Sequence, residues 1–313
     1  SKTPRHQPAR IDPALENLIL QAHDSYPYWG PRKLRDLLMS QQDIQRLPSA
    51  TTFARVLARN QREVIKNAKS APATKRFERK QPNELWQMDF KGHFMTEAHR
   101  CFPLTILDDY SRFSINLSAC RDETTDSVKS HLTHCFKAYG LPDQINVDNG
   151  DPWGSTDLES TTAIAIWLMK HGVRLTYSAP YHPQTNGKDE RFHRALKLEV
   201  LHQKKYRSCH AIQKNFDEWR HTYHYIRPHM ALNGLAPATR DQSSSRAYRE
   251  TMNRVEYDST ETIRINGERY KVGKGLRGEY VAIREANGED VCSVFFIDLF
   301  IKKINLAGDM AKD

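Results

Sequence analysis

Residues 12–26 (DPALENLILQAHDSY) alternate apolar and polar groups at helical spacing, which predicts a helix with Asp12 as N-cap and Pro13 at its first position. Residues 31–40 (PRKLRDLLMS) predict a second short helix opened by Pro31. Residues 49–60 (SATTFARVLARN) predict a third, with Ser49 as cap and Phe53, Val56 and Leu57 facing inward. Such a trio fits a helix-turn-helix module or a generic helical bundle. In the first case its last helix offers Thr51, Thr52, Arg55 and Arg59 to a DNA groove.

From residue 84 the apolar period changes to that of strands. Leu85–Phe90, Leu104–Leu107 and Ile115–Ala119 read as three consecutive strands joined by polar turns. A helix (124–139), a strand (Ile145–Asp148), a helix (about 157–171) and a strand (Leu175–Ser178) follow, then helices over roughly 185–204 and 209–226. Three antiparallel strands followed by alternating helix and strand predict an α/β sheet with helices on its faces. Residues 240–260 are polar and serine-rich, a connector. Beyond them Asn266-Gly267, between two alternating runs, signals a type I′ hairpin. A second hairpin is expected at Asn287-Gly288 and a strand at Asp298–Ile304, together a small all-β barrel of SH3-like size.

Charge sharpens this division. The 313 residues carry 47 Lys and Arg against 38 acids, a net charge of +9. The first 80 residues hold 16 of the basic groups and 7 of the acids, leaving 31 of each in the rest. That asymmetry suits a nucleic-acid-binding module at the start of the chain, and also a merely soluble basic surface. Residues 66–80 (KNAKSAPATKRFERK) read as an extended linker whose Lys75 and Arg76 can track phosphates.

Several classes drop out. The longest apolar run, Ala163 to Met169, falls far short of the ~20 residues of a membrane helix. No signal-peptide pattern opens the chain. The five cysteines are scattered, odd in number and never in a CxxC pair, so a disulfide framework and a cysteine zinc site both fit poorly, and a reducing cytoplasmic setting is expected. The phosphate loop, the dinucleotide fingerprint, the serine-hydrolase elbow and the HExxH helix are all missing.

Carboxylates remain. Asp89 interrupts an apolar strand (LWQMDF), and Asp148 ends the strand INVD before the turn Asn149-Gly150. Such acids are unfavourable there unless paired or bound to a metal. Glu190 lies in the first turns of the helix in YHPQTNGKDERFHRALK. Phe192, Leu196 and Val200 define that helix's buried stripe; Asp189 points almost along it, and as third residue after Asn186 it suits a capping box. Glu190 points away from the stripe, alongside Arg194 and Lys197. Taken alone it also fits a solvated helix start favoured by the macrodipole. Asp89, Asp148 and Glu190 could converge on hard cations, and two Mg²⁺ ions so held activate an attacking hydroxyl and stabilise a leaving oxygen. Asp108 and Asp109 in LTILDDYSR read as turn residues, with metal ligation the lesser alternative, Asp151 as loop surface, and His221 and His224 as surface or packing groups.

Together LWQMDFKG, LTILDDYSR, INVDNG and YHPQTNGKDERFHRALK resemble the integrase catalytic core of bacterial insertion-sequence transposases, the DDE superfamily related to retroviral integrases. The resemblance continues through YHYIRPHMALNGLAPATR and reaches upstream into YPYWGPRKLRDLL and LPSATTFARVL, similar to the helix-turn-helix region of those transposases. It implies a ribonuclease H-like core, with Asp89, Asp148 and Glu190 as catalytic triad and metal ligands, and Lys188, Arg194 and Lys197 near DNA. The implied cofactor is two Mg²⁺ ions, with Mn²⁺ able to substitute. The implied activity is cleavage at transposon ends and transfer of the 3′-OH strand into target DNA, without ATP, by at least a dimer in the bacterial cytoplasm and nucleoid. A nuclease of the same fold and a silent DNA-binding regulator are the alternatives.

The expected organisation is a helix-turn-helix domain (1–65), a basic linker (66–82), the catalytic core (83–240), a connector (241–260) and the barrel (261–307). Two departures stand out. The 41 residues between Asp148 and Glu190 exceed the usual interval, with the surplus expected in the loop after Trp153. Only His6 and His23 precede Asp89, with no cysteine, unlike the zinc domain of retroviral integrases. Relatives often carry another helix-turn-helix upstream, and SKTPRHQPAR is similar to the basic joint that follows it, so a truncated or naturally shorter form is expected.

Overall fold

Asp12 and Ser49 cap their helices as their positions predict: the Asp12 carboxylate accepts from the Ala14 amide at 2.9 Å and the Ser49 hydroxyl from that of Thr52 at 3.3 Å. In the computed structural model these caps open α1 (Pro13–Ser25) and α3 (Ala50–Arg59), with α2 (Pro31–Gln41) between them. The structure describes residues 11–41, 46–63, 78–149, 152–154, 162–178, 187–248, 262–265, 268–272, 276, 279, 281–285, 291–296 and 299–308. Lys75, Arg76, Gly150, Asp151, Tyr181–Asn186 and both Asn-Gly turns of the last segment therefore lie outside the described residues. The three helices close on Ile19, Leu34, Leu37, Phe53, Val56 and Leu57, the inward positions of each apolar stripe. Tyr26 and Trp29 stack at 4.1 Å in the turn between α1 and α2.

The central sheet comprises β1 (Trp86–Phe90), β2 (Phe94–Met95), β3 (Arg100–Asp108), β4 (Ser114–Cys120), β5 (Gln144–Val147) and β6 (Arg174–Tyr177). β3 pairs antiparallel with β1, β2 and β4, whereas β5 runs parallel to both β1 and β6. This is the expected sequence of three antiparallel strands, then alternating helix and strand. β2, only two residues long, went unforeseen because so short a pair shows no periodicity. Helices α4 (Thr125–Tyr139) and α5 (Ala163–Lys170) cover one face around Trp86, Met88, Leu104, Ile106, Phe136 and Ile145. Helices α6 (Gly187–Leu196) and α7 (Cys209–Tyr225) cover the other around Leu107, Leu117, Phe192, Leu196 and Phe216. Strand alternation thus sends Trp86, Met88 and Phe90 toward α4 and α5, and Gln87 and Asp89 toward α6.

The single helix expected over 185–204 is a correction. After Leu196 the backbone widens into a π turn, Lys197–Leu201, and the chain leaves helical form before Cys209. Glu199 on that turn accepts from the Trp219 indole at 2.8 Å and forms an ion pair with Arg227. Arg227 lies 5.6 Å from the Trp29 ring, and Tyr28 donates to Gln203, so the π turn is where the N-terminal helices meet the sheet unit. Lys33 is half-buried at the same junction, and that partial burial, with Arg227 nearby, pushes its ammonium down to about 8. The Glu199 and Arg227 side chains are 8% and 7% exposed. Arg227→Ala would strand a buried carboxylate and should lower unfolding stability by about 3–5 kcal/mol in urea melts.

Beyond the core, β7 (Thr262–Ile265) pairs with β8 (Glu268–Lys271), Ile265 facing Glu268 across the two-residue link. A three-stranded sheet follows, β9 (Ala282–Glu285), β10 (Val291–Phe296) and β11 (Leu299–Asn305), the last beginning one residue after the expected Asp298. Both sheets share a core of Ile265, Tyr270, Val272, Val294, Phe296, Ile301 and Ile304, against which Ile166 of α5 packs. Among the described residues no helix is long and apolar enough to cross a membrane.

Candidate active site

Gln87 and Asp89 are consecutive residues of β1 on the face toward α6, and their surroundings differ sharply. Gln87 donates at 2.7 Å to Asp109, a buried carboxylate that also accepts from the Arg79 amide and pairs with Lys188. Asp108 accepts from the amides of Asn83 (2.8 Å) and Ser111 (2.7 Å) and from the Ser111 hydroxyl. The turn reading of this Asp-Asp pair therefore holds. Both carboxylates are consumed in fastening the β3–β4 turn to the approach of β1. Burial still pushes the Asp108 carboxyl up.

Asp89 has no such saturation. Burial, with the neighbouring Asp148 charge adding to it, raises its carboxyl to about 7. Asp148 follows β5, which lies parallel to β1, so two acids from adjacent strands emerge beside one another. Asn149 beyond it donates to the Ser178 carbonyl at 3.1 Å, and Asn146 to the Ser178 hydroxyl at 2.8 Å, tying the end of β5 to β6.

Asp189 and Glu190 open α6. Asp189 is 4% exposed, its Oδ1 is buried without a hydrogen-bond partner, and burial followed by the charges of Asp89, Asp109 and Asp148 pushes its carboxyl well up. Its direction along the buried stripe agrees with the helical pattern. The capping box proposed for it runs through Asn186, outside the described residues. Glu190 is exposed, as are Arg194 and Lys197. One turn on, His193 is buried, its Nδ1 3.8 Å from Asp89 Oδ2 and its Nε2 2.8 Å from Thr105 Oγ1. Burial and nearby Lys91 lower this imidazole to about 3, so it is neutral near pH 7.

The structure thus brings Asp89 and Asp148 together and sets the first turn of α6 against them, with Glu190 on the water-facing side of that turn. Among the described residues, no three acidic, histidine or cysteine side chains converge closely enough to hold a metal ion as they stand. Like charges repel, so a flexible glutamate at a helix start stays in water unless a cation draws it in. The donor set is all carboxylate oxygen, the chemistry that hard divalent cations take, and the mutual repulsion of Asp89 and Asp148 is what such a cation relieves. The residues fit a divalent ion.

That repulsion sets a stability prediction. A carboxyl raised in the folded state costs stability as pH climbs from its ordinary value of about 4 toward 7. In metal-free buffer Asp89→Asn should therefore gain on the order of 1–2 kcal/mol over the parent at pH 8, with the gain fading at pH 4; paired thermal melts check this.

The residues expected at DNA divide. Thr51 and Arg55 are exposed on α3, Thr52 shares a hydrogen bond with the Ser49 hydroxyl, and Arg59 is paired with Glu16. Lys188, expected on the DNA side, is 14% exposed and committed to Asp109, because its short path inward meets a buried carboxylate. His224 stacks on Phe113 at 3.6 Å, a packing role, while exposed His221 rests on Tyr225. All five cysteines are free and buried. The sequence pattern did not single out His193, Thr105 or Lys91; the signal available was His193 at three residues from Glu190 on the buried side of an otherwise polar turn.

Residues 79–183 match the family model of an integrase core domain, and residues 171–237 match a second integrase core domain model. Over 240 residues the chain is 26% identical to the insertion element IS476 uncharacterized 39.2 kDa protein of Xanthomonas euvesicatoria, covering 74% of this chain and 65% of that protein. It therefore spans slightly less than two thirds of that relative's length. It is 34% identical over 119 residues to the Gag-Pro-Pol polyprotein of Simian retrovirus SRV-1, covering 38% of this chain and 6% of the polyprotein. The HTLV-2 integrase catalytic core domain in complex with magnesium aligns with 51% of this chain and 97% of that domain at 16% identity and a TM-score of 0.37.

Proposed function

The chain belongs to the insertion-sequence transposases with an integrase-type, ribonuclease H-like core, and from that premise we propose that it cuts transposon ends and joins them to target DNA. Asp89, Asp148 and Glu190 form the proposed triad. The observation that carries it is geometric: His193, one turn after Glu190 on α6, stands 3.8 Å from Asp89, and Asp148 follows β5 beside β1. The first turn of α6 is thus within reach of the pair. Between its two acids, Glu190 is the exposed one, and an accessible carboxylate is what a cation can take.

Two divalent cations, when bound by these three side chains, would supply Lewis-acid activation of the attacking hydroxyl and charge relief at the leaving oxygen. Water attacks the phosphodiester at the transposon end and frees a 3′-OH. That 3′-OH attacks a target phosphodiester, forming one O–P bond as another breaks and releasing a target 3′-OH. The exposed Arg194 on α6 and Lys197 at the start of the π turn follow Glu190 and suit the phosphates of the attacking strand. Gln87, Asp108 and Asp109 hold β1 and the β3–β4 turn still, so Asp89 stays in place and Glu190 is the acid that moves.

The N-terminal helices act as a helix-turn-helix module on the terminal repeats, with Thr51 and Arg55 toward the groove. The linker residues Lys75 and Arg76 track phosphates, and the C-terminal sheets form a small barrel. Joining two ends requires at least a dimer on DNA, in the bacterial cytoplasm and nucleoid. The test is an assay of labelled transposon-end duplex and target DNA with Mg²⁺ or Mn²⁺. A nick at the end followed by joined product supports the proposal. Hydrolysis without joining would make the chain a nuclease, and binding without any cut a regulator.

A further inference from the structure

We infer that His193 and Thr105 act as one positioning pair for Asp89, holding its backbone by a hydrogen bond and flanking its carboxylate. This rests on the proposed role of Asp89. Asp89 and Thr105 are direct cross-strand partners in the β1–β3 register, so their side chains share the face beneath α6. The Thr105 hydroxyl, fully buried, donates to the Asp89 carbonyl at 2.9 Å. With its proton so spent, the same oxygen accepts from His193 Nε2–H at 2.8 Å. On the other side of the ring Nδ1 stands 3.8 Å from Asp89 Oδ2, too long for a hydrogen bond.

This arrangement is unlike Asp108 and Asp109, whose oxygens are taken up by amide, hydroxyl and ammonium donors. The imidazole, tied to Thr105 on one side, stands beside the Asp89 carboxylate on the other and limits where it can swing. The pairing follows the general rule that partners behind a metal-binding side chain set its orientation, with losses of roughly 10–100-fold in metal affinity on removal.

The test uses the full chain without DNA and Mn²⁺ as probe, with bound ion read by calorimetry and by loss of the free-ion electron paramagnetic resonance signal. Asp89→Asn should abolish binding. Thr105→Val and His193→Ala should each weaken it about tenfold, the double variant no further than either single, and Thr105→Ser should retain parental affinity. Circular dichroism checks each fold; if His193→Ala is unfolded, the isosteric Thr105→Val carries the test. Parental binding by Thr105→Val and His193→Ala beside a dead Asp89→Asn would overturn the pair and leave the proposed site standing. Losses that simply add would overturn the claim that the two act as a unit. Parental Mn²⁺ binding by Asp89→Asn would instead remove the site itself.

Discussion

Glu190→Gln should reduce both end cleavage and strand transfer at least a thousandfold, while Asp189→Asn changes them less than tenfold. The two residues are neighbours in sequence, and their environments assign opposite roles. Glu190 is exposed on the first turn of α6, with a side chain long enough to swing toward Asp89 and Asp148. Asp189 is 4% exposed, and burial followed by the charges of the same acids pushes its carboxyl well above the usual carboxylate range. An enclosed group of this kind answers a cation poorly, and an amide of the same shape fills its place. Removal of a group that stabilises developing charge in a preorganised site costs about 10²–10³ in rate, and a lost ligand more. Rates on labelled end DNA, with folding checked for each variant, decide between the neighbours. A dead Asp189→Asn and a working Glu190→Gln would reverse the assignment.

Asp109→Ala should cost as much stability as Arg227→Ala. The Asp109 side chain is fully buried, and its removal takes away at once the carboxylate that Lys188, Gln87 and the Arg79 amide share. Breaking a buried ion pair by removing one partner costs about 3–5 kcal/mol, a large part of the total stability of a typical domain. Urea unfolding should show a midpoint sharply lower than the parent's, and the variant should express mainly as aggregate. Lys188→Met, which leaves the carboxylate its two other donors, should lose less. If Asp109→Ala melts like the parent but is inactive, then Asp109 belongs to the chemistry rather than to the scaffold.

Local pattern made most of the scaffold legible. LWQMDF was legible as a strand interrupted by one acid, and the stripe through Phe192, Leu196 and Val200 already turned Asp189 inward and Glu190 outward. Caps at Asp12 and Ser49 were readable because their partners are two or three residues away. What stayed hidden depends on contacts between distant segments. Lys188 looks like a surface cation until the buried Asp109, 79 residues earlier, is brought beneath it. The π turn at Lys197–Leu201 has no local signature; Trp219 and Arg227, which hold Glu199 there, arrive with α7 and the segment after it. His193 looks like one of 14 histidines until strand register puts Thr105 beside Asp89.

The central claim is that Asp89, Asp148 and Glu190 together hold divalent cations at the end of β1. Crystals grown with Mn²⁺ and transposon-end DNA, with data collected at a wavelength where manganese scatters anomalously, test it most directly. The account predicts anomalous peaks bridged by Asp89 and Asp148, with the Glu190 carboxylate drawn in and Asp189 still buried. Peaks ligated by Asp189 or Asp109 instead, or a joined DNA product with no ion at Asp89, would contradict it.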